Sequence, residues 1–86
     1  MSETLSEESD FSKTIRSMPD LSEGELIAML RNKVLIFAEE ANCQLLQRFR
    51  DSEVTHNAIF AIVEDYSVHS LIRDIIQDHW DWLLND

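Results

Sequence analysis

The chain has 86 residues, 17 Asp and Glu against 7 Lys and Arg, and a formal net charge of −10. A domain this short buries only ~60% of the surface its unfolded chain exposes, and its single cysteine, Cys43, excludes an internal disulfide. The acidity sets the surface against nucleic acid and anionic lipid, and no apolar run nears the ~18 residues of a membrane span.

The first segment, "MSETLSEESD", is acidic and polar, unlike a secretory or mitochondrial leader, which predicts a cytoplasmic protein. Residues 1–20 read as an acidic, mostly disordered leader, and residues 21–86 as one helical domain. Within the leader, Phe11, Ile15 and Met18 stand at i, i+4 and i+7. That is the spacing of a short segment that docks into a groove. The serines at 2, 6, 9 and 12 lie in acidic context, a pattern too common to carry a function.

One Gly and one Pro in the whole chain leave few sites for strand turns, so the elements expected are helices. The fold class is all-α: a three-helix bundle with a long first helix over about 22–50, then 53–66 and 68–84, completed by dimerisation. Ser22 and Glu25 form S-x-x-E at the first start, a capping box. Ile27, Leu30, Val34, Phe37, Ala38, Ala41, Leu45 and Phe49 share one broad face. Asp51 and Ser52 are candidate N-caps for the second helix. Its "AIFAIV" run, apolar nearly all round, predicts a central position. Ser67 or Ser70 caps the third, where Val68, Leu71, Ile72, Ile75, Ile76, Trp82 and Leu83 make the expected core stripe.

Some apolar residues fall outside these stripes. Met29, Ile36 and Cys43 are seven apart on the far side of a continuous first helix and would form a ridge. Trp80 and Leu84 are an i,i+4 pair on the polar side of the third helix. These five predict a partner or homodimer interface; on this reading, replacing Trp80 disturbs association and replacing Trp82 disturbs folding.

Sites for chemistry are few. His56, His69 and His79 share no metal-ligand spacing with one another or with Cys43. His79, on the expected stripe, reads as a buried neutral histidine and so as a source of pH sensitivity. Gly24 is the only glycine, so no phosphate cradle is present, and little loop remains for an oxyanion site. No catalytic, cofactor-binding or metal residues are assigned; the chain is expected to be no enzyme and to need no cofactor.

Residues 60–74, "FAIVEDYSVHSLIRD", resemble the helix-turn-helix pattern, with Phe60, Ala61, Tyr66 and Leu71 at positions that favour small or apolar residues. Asp65 stands where that pattern has a turn glycine, and Glu64 and Asp74 where it buries side chains. The resemblance implies a DNA-binding regulator, against which Asp74 and Asp78 beside Arg73 repel phosphate. The function expected is a small acidic interaction module that regulates a protein partner, its charge suiting a basic one, by binding it as a homodimer. The alternatives are a nucleic-acid mimic that inhibits a DNA-binding protein, and a helix-turn-helix-like regulator.

Overall fold

A computed structural model describes residues 10–84, all helix and connection with no strand among them. Five helices follow in order: α1 (Asp10–Ser17), α2 (Glu23–Met29), α3 (Leu35–Arg48), α4 (Glu53–Val63) and α5 (Ser70–Leu84), with a 3-10 turn at Met18–Asp20 between α1 and α2. None is long and apolar enough to cross a membrane. Helices α2, α3, α5 and α4 form a ring in which each packs on the next, while α1 and the 3-10 turn lie against α3.

The helix expected over 22–50 is two helices, not one. Its start is as expected: the Ser22 N–H donates to Glu25 Oε1 (2.8 Å) and the Glu25 N–H to Ser22 Oγ (3.3 Å). It stops after Met29 because Asn32 offers the backbone a competing partner. Asn32 Oδ1 accepts from the Val34 N–H at 2.8 Å, and Val34 is extended, with φ −86° and ψ 110°. An unbroken helix of that length would span about 44 Å and overhang α4 and α5. Folding at residues 30–34 instead returns Leu26 and Leu30, both fully buried, to the core with Ala38, Ala41 and Leu45.

Ser52 caps α4 as expected, its Oγ accepting from the Thr55 N–H at 3.3 Å. The helix ends at Val63 rather than 66, where Asp65 Oδ1 accepts from the Ser67 N–H (2.9 Å) and hydroxyl (2.6 Å). Arg31 reaches the same carboxylate from the α2–α3 connection. At the start of α5 neither expected serine is seen to cap; His69 Nδ1 accepts the Leu71 N–H at 3.1 Å.

The expected central placement of the second helix does not hold. The Cα extents of 54 × 24 × 17 Å admit two layers of helices about 10 Å across, leaving none enclosed all round. α4 therefore buries Thr55, Ile59 and Ile62 and turns Val54 and Phe60 outward.

The folded region starts before the boundary expected near residue 20. Met18 is 0% exposed within the main core, and the Phe11 ring lies 5.3 Å from that of Phe37. The i, i+4, i+7 segment thus packs on its own chain. The serines at 2, 6 and 9 lie outside the described residues.

Candidate interaction surface

The buried line of α5 is Val68, Ile72, Ile76 and Trp80, four residues apart, and Trp80 is 0% exposed. This reverses the expected roles of the two tryptophans: Trp82 is 58% exposed and Leu71 50%. The core stripe sits further round the helix than the apolar count suggested. The reason is on α3, where Asn42 is fully buried. Its Oδ1 accepts from Trp80 Nε1–H at 2.6 Å. An indole can only donate, so this bond fixes the Asn42 amide, and Nδ2 then donates to His79 Nδ1 at 2.7 Å. His79 itself is exposed, contrary to the buried histidine expected. From α4 the His56 ring meets Trp80 edge-on, centroids 6.1 Å apart.

These contacts align α3 and α5 in parallel. Ala38, Glu39 and Asn42 share a crevice with Ile72, Ile75 and Ile76, and further along the Arg50 guanidinium lies 5.4 Å over the Trp82 ring. Beside the crevice, α5 presents Leu71, Ile75, Asp78 and Trp82, separated by four, three and four residues. They fall within about 60° of one another around the helix, with Asp74 and Asp81 on one flank. All but Ile75, which is half-buried, are exposed. The result is a stripe three turns long in which Asp78 stands among three apolar residues, flanked by two further carboxylates and carrying no base of its own. Arg73 turns aside: its Nε donates to the Val68 carbonyl (3.2 Å) and its guanidinium covers Tyr66 at 4.6 Å.

Across the crevice α3 adds Ile36, 50% exposed, and Cys43, half-buried, with Glu39 and Glu40 beside them. The thiol of Cys43 is pushed above its ordinary range, first by burial and then by the charges of Glu40 and Glu39. Met29 does not join them. The break at 30–34 places it on α2, half-buried against the core, with its sulfur accepting from Asn32 Nδ2 at 3.3 Å. Of the five residues expected to form an interface, Ile36 and Cys43 share an open face, Met29 and Trp80 turn inward, and the side chain of Leu84 lies outside what is described. Leu71 and Trp82, assigned to the core by their spacing, are left in solvent, and so is Val34, expected on the core face of the first helix.

At the end of α3 the chain turns around an open hollow of about 490 Å³ lined by Leu46, Gln47, Arg48, Phe49, Arg50, Asp51 and Ser52. Arg48 lies 4.9 Å over the Phe49 ring. The turn is held by several bonds. The Phe49 N–H donates to the Leu45 carbonyl (2.8 Å), the Ser52 N–H to the Phe49 carbonyl (3.0 Å), and His56 Nε2 to the Arg50 carbonyl. Glu23 of α2 accepts from both the Ser52 and Thr55 hydroxyls, and these hold its carboxyl below the usual range, Ser52 most strongly.

The helix-turn-helix resemblance finds a different geometry. Six residues separate α4 from α5, and Phe60, Tyr66 and Leu71 are all exposed. Among the described residues, no three His, Cys, Asp or Glu side chains form a group able to hold a metal ion. Comparison with protein-family models, with curated proteins and with solved structures finds no match for the chain.

Proposed function

We propose that this chain is a small acidic helical module that regulates a partner protein by binding it, and that the α3–α5 face is where it binds. The observation that carries this is the stripe of exposed Leu71 and Trp82 with half-buried Ile75 between them, beside Asp74, Asp78 and Asp81. A surface that leaves an aromatic ring exposed among apolar neighbours at helical spacing suits an amphipathic helix laid along it. The aspartates, with Glu39 and Glu40 across the crevice, select one with basic residues and speed its approach. Charge favours such a helix over a second copy as the occupant, since a symmetric pairing through this face would bring Asp78 near its own copy. A nucleic-acid mimic would rest on the acids alone and leave the apolar stripe without a role.

The test is amide and indole chemical-shift mapping of the full chain with a lysine-rich amphipathic helical peptide, alongside sedimentation of the free protein. Shifts centred on Leu71, Ile75, Asp78 and the Trp82 indole N–H, from a protein that sediments as a monomer, support the reading. Shifts centred on the outer face of α4, or a dimer that buries α5, overturn it.

A further inference from the structure

Arg48 and Arg50 are two bases of an acidic chain that line one hollow, and neither makes an ion pair among the described residues. Each guanidinium lies over a ring instead, Arg48 on Phe49 and Arg50 on Trp82. The backbone between them is held by the bonds to Leu45, Phe49, His56 and Glu23 given above, and both side chains line the hollow, with Asp51 as the one acid beside the two bases. A guanidinium against a ring keeps its N–H edges free, and those edges match a carboxylate in two-point geometry. Holding the turn in place beforehand lowers the ordering cost of such a contact.

Trp82 links this turn to the α5 stripe, since it is the last apolar member of the stripe and the ring beneath Arg50. A helix lying along α5 therefore passes within about 12 Å from Asp74, by way of Asp78, to Trp82, the ring beneath Arg50. Asp81 precedes Trp82 but projects about 100° away from it around the helix.

We propose that the partner segment is charge-polarised: basic along α5, and carrying carboxylates at the end that reaches Trp82, where Arg48 and Arg50 receive them. This rests on the interaction reading above and adds the partner's charge order and so its orientation. Apolar contact alone would let a helix lie on the stripe in either direction; the basic turn at one end removes that ambiguity.

Four helical peptides with the same apolar residues separate the possibilities. One is basic throughout; the other three share one composition, with two glutamates at the N-terminal end, at the C-terminal end or at the centre. Affinities are measured by calorimetry against the full chain and against R48Q/R50Q, whose fold is checked by circular dichroism. One end-acidic peptide is expected to bind at least tenfold tighter than the centre-acidic one, with the advantage lost in R48Q/R50Q. Equal affinities for the three, or an advantage unchanged in R48Q/R50Q, overturn the charge order while leaving the module's basic partner intact. If the uniformly basic peptide and the others all fail to bind, the parent reading falls with it.

Discussion

Trp80 and Asn42, 38 residues apart, are joined by a hydrogen bond of 2.6 Å from the indole N–H to the amide oxygen, with both side chains fully buried. This bond decides which of two neighbouring tryptophans faces the core, and so which is left to meet a partner. A buried indole with no acceptor would cost roughly 1–3 kcal/mol; Asn42 removes that cost and directs its own remaining donor to His79.

Replacing Trp80 should therefore unfold the protein. Trp80→Ala is expected to cost about 3–5 kcal/mol, close to the whole stability of a domain this size. Trp82→Ala should cost no more than about 1 kcal/mol, the exposed ring's contact with Arg50 included. Urea denaturation of the two variants checks this, and acrylamide quenching of Trp80→Phe and Trp82→Phe reports which ring is reached by solvent.

The Trp80–Asn42 pair should behave as one unit. Asn42→Ala alone is expected to cost roughly 1–3 kcal/mol, since it leaves the indole N–H unsatisfied. In a Trp80→Phe background the same change should cost less. A double-mutant cycle measures the difference, and additive costs would show that the bond contributes nothing.

Stability should fall in acid. Glu23 is held below its ordinary pKa by the Ser52 and Thr55 hydroxyls, Glu25 by the Ser22 N–H and hydroxyl, and Asp65 by the Ser67 hydroxyl and Arg31. A carboxylate whose folded pKa lies below its unfolded value of about 4 stabilises the fold above that pH. The contribution is lost as pH falls through the folded pKa. Urea midpoints should thus drop between pH 6 and pH 3, and E23Q or D65N should drop less steeply than the wild type. Parallel curves would mean these bonds do not discriminate the charged form.

Gly24→Ala should stabilise the protein by roughly 0.5 kcal/mol. The glycine lies in α2 with no positive φ, and a Cβ there would meet nothing within 4 Å. The gain comes from restricting the unfolded chain, so thermal denaturation should shift upward with no change in peptide binding.

Much of the local structure was legible in the residues. The Ser22–Glu25 box and the Ser52 cap each need only short-range pairing, and both formed where the sequence placed them. The break after Met29 was hidden because apolar periodicity continues through residues 30–34, while the competing signal is a single asparagine side chain, Asn32. The orientation of α5 was hidden for a different reason. Counting apolar residues gives Leu71 and Trp82 the same weight as Val68 and Trp80. Only a buried acceptor on another helix separates them, and Asn42 reads as an ordinary polar residue of α3. His69 as a helix cap was missed because a histidine ring is not among the usual capping side chains. Ile36 and Cys43 kept their common face because seven residues within α3 hold their register whatever precedes it.

The most direct test of the binding face is calorimetric titration of the wild-type chain and Trp82→Ser with a lysine-rich amphipathic helical peptide, at low and at physiological salt. The wild type should bind, with affinity falling as salt screens the aspartates. Trp82→Ser should bind at least tenfold more weakly while keeping its urea midpoint. Equal affinity for the two proteins, or no binding by either, would contradict α5 as the partner's docking face.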